Sequence, residues 1–150
     1  MNLMSCLLLV FNTLIYCWAP WYTDFKKAAA AANNSNKMLL LNFSGSDWCG
    51  PCIRMKKDIF DSAVFEGYAK KRLVLINADF PRLEKNKLDI IQIKQNEDLV
   101  SKYNPEGKFP YTILMSSKGE VVREWEGLPQ GSPDLFIADI EKAINTNKAN

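Results

Sequence analysis

The four cysteines of this 150-residue chain stand at positions 6, 17, 49 and 52, and the last two are the residues best placed to do chemistry. Cys49-Gly50-Pro51-Cys52 separates two thiols by two residues, so the second sulfur can reach the first without a long loop between them. The sequence around the pair supplies a setting for it. Met38 to Phe43 is an apolar run broken only by Asn42, the pattern of a strand buried on both faces. The loop Ser44-Gly45-Ser46-Asp47-Trp48 leads out of it into Cys49. Beyond Cys52, Met55, Ile59 and Ala63 share one helical stripe, and Phe60, Val64 and Tyr68 share the neighbouring one. A thiolate at a helix start meets unpaired backbone N–H groups and the positive end of the helix dipole, which lower its pKa and make it a nucleophile at neutral pH. A C-x-x-C between a strand and a helix therefore reads as a redox pair. A structural disulfide is a poorer use of this spacing, because so small a loop constrains the unfolded chain little. A zinc half-site would need two further ligands.

The chain contains no histidine, which removes His-dependent triads, His-bearing zinc sites and histidine-ligated haem together. With 47% hydrophobic and 24% charged residues it is globular in composition, and 150 residues give room for one ordinary domain. A net charge of +2, with the basic residues scattered, argues against nucleic acid as a partner. The first charged residue is Asp24, and Leu3 to Ala19 is apolar apart from Ser5, Asn12 and Thr13. That run is short for a membrane span, which takes about 20 residues, and suits the hydrophobic region of an export signal. It lacks a positive residue before it, and Cys17-Trp18-Ala19 is its best cleavage site, followed by Pro20. The expectation is a signal peptide or N-terminal anchor over residues 1–19 and one domain over residues 20–150, in the periplasm. If the signal is removed, Cys49 and Cys52 are the only thiols left, in a compartment where disulfides form and persist.

The remaining elements follow from pattern. Asp24 to Ala32 reads as helix, closed by Asn33-Asn34-Ser35-Asn36. Leu73 to Ala78 is a second buried strand, ended by Asp79, and Asp61-Ser62 divides the helical stretch before it. Residues 81–94 read as an irregular polar excursion, with Asn96 capping a short helix through Tyr103. Tyr111 to Met115 and Val121 to Trp125 form a hairpin about Ser116-Ser117-Lys118-Gly119. Ser132 and Pro133 start a last helix with Phe136, Ile140, Ala143 and Ile144 inward. A helical crossover makes the first two strands parallel and the hairpin adds an antiparallel pair. The fold class is α/β, a mixed sheet of about four strands with helices on both faces.

Trp48-Cys49-Gly50-Pro51-Cys52, Asp79 at the end of the next strand, Phe109-Pro110 before a further strand, and the terminal hairpin and helix with Gly127 between them resemble a thioredoxin fold. The stretches Phe43-Ser44-Gly45-Ser46-Asp47-Trp48 and Asn77-Ala78-Asp79-Phe80-Pro81 resemble exported bacterial thioredoxin-like proteins and thiol:disulfide interchange domains. The resemblance implies a thiol:disulfide oxidoreductase with no cofactor beyond its own disulfide and no metal. It implies that Cys49 attacks and Cys52 resolves, supported by Gly50 and Pro51. Trp48 would shield the pair and offer a contact surface. Pro110 would be cis and packed on the sulfurs, with the Phe109 backbone pairing to substrate. The implied partners are protein disulfides or dithiols and an electron donor such as a membrane thiol:disulfide interchange protein, the chain itself being a monomer. Gly50-Pro51 resembles reducing thioredoxins more than strong oxidants. Disulfide oxidase or isomerase activity, a binding module with a passive disulfide, and metal delivery by the two thiols are the alternatives.

Two departures from that pattern matter. Thioredoxins usually bury an aspartate in the strand before the motif, and Asn42 occupies that place; the lysine often paired with it falls at Leu75. An amide cannot accept a proton at neutral pH. Proton transfer at Cys52 is then left to water or to another carboxylate such as Asp47. The helix-start argument also predicts that Cys49 is the more exposed of the two sulfurs.

Overall fold

In the computed structural model, which describes residues 19–149, the chain runs β1 (Trp21–Tyr22), α1 (Phe25–Ser35), β2 (Met38–Ser44) and α2 (Gly50–Met55). A wider π-type turn over Lys56–Phe60 follows, then α3 (Ala63–Arg72), β3 (Leu73–Asp79), α4 (Ile90–Tyr103), β4 (Tyr111–Met115), β5 (Val121–Glu126) and α5 (Pro133–Ala149). The expected signal or anchor, with Cys6 and Cys17, falls on residues outside those described, apart from Ala19. Among the described residues no helix is long and apolar enough to cross a membrane.

The sheet order is β1-β3-β2-β4-β5. β2 and β3 are parallel from Met38↔Leu73 to Ser44↔Asp79, and β4 is antiparallel to both β2 and β5. The fifth strand is the two-residue edge Trp21–Tyr22 beside Leu75 and Ile76, too short to show a period in sequence. Alternation along β2 builds two cores. Leu40 faces α3 and α5 with Phe60, Phe65, Phe136 and Ile140, while Leu39, Leu41 and Phe43 face α1 and α4 with Ala28, Ala32 and Leu99. Leu75, at the position where a lysine is common, is a buried member of the first core.

Two helix boundaries differ from the sequence reading. α1 runs on to Ser35 and is closed by Asn36, whose φ of 51° and backbone N–H bonds to Ala32 and Asn33 end it. The break at Asp61 is as expected, and Ser62 caps α3 by accepting the Phe65 N–H. Residues 81–94 are not wholly irregular: a short 3₁₀ turn spans Glu84–Asn86, and α4 begins at Ile90 with Asp89 as its cap. Ile90 and Ile91 face solvent while the amide of Asn96 is buried, which inverts the apolar pattern and hides the first turns of the helix. Asn96 is not a cap. It lies mid-helix, donating to the Asp79 carbonyl at 2.8 Å and accepting from Gln92 at 2.9 Å.

Candidate active site

Parallel pairing brings the ends of β2 and β3 together at Ser44 and Asp79, and the register Phe43↔Tyr111 brings the start of β4 to the same end of the sheet. The chemistry-bearing loop therefore leaves β2 beside the residues that follow β3 and precede β4. Asp79 is the pin. Its carboxylate accepts from the Ser44 hydroxyl at 3.0 Å and from the Ser46 N–H at 2.9 Å, and the Ser46 hydroxyl donates to its other oxygen. The loop then turns back on itself, with the Trp48 and Cys49 N–H groups donating to the Gly45 carbonyl. Gly45 is needed for a close approach, since a Cβ there would overlap the Trp48 ring.

Cys49 and Cys52 are joined in a disulfide with their Cα atoms 5.2 Å apart. Cys49 is the N-cap of α2, and its sulfur accepts the Cys52 N–H at 3.3 Å. Pro51 sits in the first turn, where a missing N–H costs no hydrogen bond, and Gly50 beside it is exposed with open space around its Cα. The expected exposure of Cys49 is not found: both cysteines are 5% exposed. The two differ in surroundings instead. The Cys49 sulfur faces the amide end of α2, whereas Cys52 lines a cavity of about 300 Å³ with Asn42, Ser44, Asn77, Lys56 and Trp21.

Asn42, Asn77 and Ser44 in that lining belong to a row of hydrogen-bonded polar groups crossing three strands. Thr112 donates to the Asn42 carbonyl oxygen at 3.1 Å, the Asn42 amide donates to Asn77 at 2.9 Å, and the Asn77 amide donates to the Ser44 hydroxyl at 3.2 Å. Asn42 is 5% exposed and Thr112 fully buried, so the row accounts for groups that water does not reach. Asp47, the other carboxylate considered for the proton of Cys52, is committed elsewhere. It accepts the N–H groups of Arg82 and Leu83 at 2.9 and 3.0 Å and the Asn86 side chain at 2.9 Å, and these bonds hold its pKa below the usual carboxylate value. It is a clamp on the loop after β3.

Aromatic side chains close the other side. The Trp48 indole N–H donates to the Phe80 carbonyl at 2.7 Å, and the Phe109 ring meets Trp48 at 5.7 Å and Phe80 at 5.5 Å, both edge-on. The Phe109–Pro110 bond is cis, and Pro110 is buried with its carbonyl accepting from Gly127 at 2.8 Å. Asn104, 2% exposed, holds the approach to that bond by donating to the Lys108 carbonyl and accepting the Lys108 N–H. Lys108 is gripped by Glu106 and Glu126, each at 2.9 Å, which push its pKa up. Sequence reasoning missed Gly45, Asn77, Arg82 and Asn104. Asn77 and Arg82 act through partners distant in sequence, Gly45 through a close approach and Asn104 by bracing the turn to Lys108, and none of these leaves a periodic signal. Among the described residues no group of three or more Cys, Asp or Glu is arranged to hold a metal.

Comparison with known proteins agrees with this geometry. The Thioredoxin-like family profile matches residues 20–111. The chain is 27% identical to the disulfide bond reductase DsbH of Chlamydia pneumoniae, over 82% of this chain and 72% of that one. It is 30% identical to the thioredoxin-related protein DsbJ of the same organism, over 64% of this chain but only 27% of that longer protein. Among solved structures, a DsbH oxidoreductase superposes with a TM-score of 0.77 at 26% identity, covering 86% of each chain. A thioredoxin of Thermus thermophilus gives 0.62 at 14% identity, a likeness of fold. With a disulfide spanning two residues at the head of α2 and this kinship, the chain belongs to the thioredoxin-like family, as a thiol:disulfide oxidoreductase.

Proposed function

We propose that the protein is an exported reductase of protein disulfides. The observation that carries the chemistry is the Cys49 sulfur at the N-cap of α2, accepting the Cys52 N–H. In the dithiol form the same N–H stabilises a Cys49 thiolate, while Cys52, inside the first turn, keeps its proton until it is needed. The thiolate attacks one sulfur of a substrate disulfide, forms a mixed disulfide and expels the other substrate sulfur as a thiolate. Cys52 then loses its proton toward the cavity it lines and attacks the Cys49 sulfur. That closes Cys49–Cys52, releases the second substrate thiol, and passes two electrons to the substrate. Trp48, Phe109 and Pro110 form the contact surface, with the Phe109 backbone pairing to an extended substrate segment.

The reducing direction is supported by Gly50-Pro51 between the cysteines and by similarity to a relative named as a disulfide bond reductase. Export is supported by the uncharged apolar run before Asp24, with residues 1–19 as signal or anchor and residues 20–150 as the working domain. An electron donor, such as a membrane thiol:disulfide interchange protein, returns the disulfide to the dithiol.

The test is a pair of single-cysteine variants. Cys52→Ser leaves a Cys49 that alkylates with a pKa well under the free value of about 8.5 and accumulates long-lived mixed disulfides on non-reducing gels. Cys49→Ser leaves a slow thiol and traps nothing. A faster, lower-pKa Cys52 would reverse the roles. Insulin reduction by dithiothreitol no faster with the protein than without it would remove the reductase reading.

A further inference from the structure

The reductase reading makes no use of a cation lying on the tryptophan beside the disulfide. The Arg82 guanidinium carbon is 3.7 Å from the centre of the Trp48 ring, and Trp48 precedes Cys49 directly. Both partners are held. The Arg82 backbone is clamped by Asp47 at 2.9 Å, and the Trp48 indole is anchored to the Phe80 carbonyl and to the edge of Phe109. Arg82 is exposed, and among the described residues no carboxylate pairs with it. Its loop neighbour Lys87 is matched by Glu84 at 3.3 Å, and the Asp47 oxygens are occupied by loop N–H groups. Among the described residues Lys85 in the same loop is also without a carboxylate partner, but Arg82 is the cation seated on the ring that precedes Cys49, an unmatched guanidinium at the rim of the redox site. Stacked on a ring, a guanidinium keeps its N–H donors in plane and free, in the fork that suits a carboxylate.

We infer that Arg82 is a specificity residue of this site, selecting protein disulfides whose cystine is flanked by Asp or Glu. The inference rests on the reductase reading and names its substrate class. A segment crossing Trp48 to reach Phe109 brings the residue next to its cystine over the Trp48 face, where Arg82 stands. The contact adds no covalent step and acts on capture, so it is read in kcat/KM and in its dependence on salt.

The experiment compares reduction, with dithiothreitol as electron source, of cystine peptides that differ only in a flanking Glu, Gln or Lys. The native protein should prefer Glu to Gln by about two- to fivefold at low ionic strength, the size of an exposed charge pair, with Lys slowest. The preference should fade in about 0.5 M salt, where the screening length falls to roughly 4 Å. Arg82→Lys should keep the order, Arg82→Gln should level it and Arg82→Glu should invert it. A purely structural arginine would lower all rates together and leave their ratio unchanged. Equal rates for the Glu and Lys peptides, or a ratio untouched in Arg82→Gln, would overturn the inference while the reductase reading stands. No reduction of any peptide above background would remove both.

Discussion

Placing a carboxylate at position 42 tests whether the hydrogen-bonded row beside Cys52 is built to stay neutral. Asn42 donates to Asn77 and accepts from Thr112 in a setting only 5% exposed. In Asn42→Asp the ionised side chain has two acceptor oxygens, and the one replacing the amide faces the Asn77 carbonyl oxygen. Burial disfavours the charge and raises the carboxyl pKa, by up to about three to five units at fully buried sites. With the folded pKa raised above its unfolded value of about 3.9, the folded variant holds its proton longer than the unfolded one. Its stability is therefore intact near pH 4, where the acid O–H can donate to Asn77, and is lost as pH rises through the folded value. A three-unit shift corresponds to about 4 kcal/mol lost at high pH. Urea titration of the oxidised variant and the native protein at a series of pH values reads that difference directly. The same carboxylate, half-ionised near neutrality for a three-unit shift and on the wall Cys52 shares, should help Cys52 lose its proton and so accelerate its release of a mixed disulfide. Tenfold is a conservative threshold, since a positioned acid–base group typically contributes about 100-fold or more. A stability difference that does not change with pH would refute the account of the neutral row. Unchanged release from a folded variant would remove position 42 from the proton's path.

Two further outcomes follow from the hydrogen bonds. Glu141 accepts from Tyr68 at 2.6 Å and from Arg72 at 3.0 Å, which hold its pKa below the usual value. Because a lowered folded pKa contributes stability above the unfolded value and loses it in acid, Glu141→Gln should cost up to about 1 kcal/mol at neutral pH, and the gap should close in acid, as paired denaturation curves would show. Asp47→Ala should free the Arg82 and Leu83 N–H groups, read as faster hydrogen exchange confined to residues 82–86, and protection equal to the native protein's would refute the clamp.

How much of this was legible in the sequence depended on the range of each signal. Cys49-Gly50-Pro51-Cys52 is local: strand, loop and helix start are adjacent, so the pair and its setting could be read without tertiary information. The two buried strands and the hairpin were readable for the same reason. Trp21–Tyr22 was not, because two residues have no period and the strand exists only through β3. α4 was misread because burial, not polarity, decides its inward face: Asn96 points in to satisfy the Asp79 carbonyl while Ile90 and Ile91 point out. The exposure of Cys49 was misjudged because the burial of a helix start depends on what packs around it in three dimensions, which leaves no local pattern.

The two cysteines are thus distinguished by direction. Residues of β2 alternate between faces, so the strand that sends Leu41 and Phe43 toward α1 and α4 must send Asn42 toward the opposite side, where Cys52 lies. The residue at position 42 therefore stands in the wall of the cavity that Cys52 lines. The rim is built differently. Its residues come from the segments after β2, after β3 and before β4, and Asp47, Phe80, Arg82 and Phe109 are brought to one end of the sheet by the shared register of β2, β3 and β4. On the proposed mechanism, proton handling is set from within the sheet and substrate contact from loops tied to its end. Substitutions at Asn42 and at Arg82 should accordingly act independently, the first on release of the mixed disulfide and the second on its capture. A double variant whose effects on those two rates multiply is the expected result, and strong coupling between them would show that the wall and the rim are one structure.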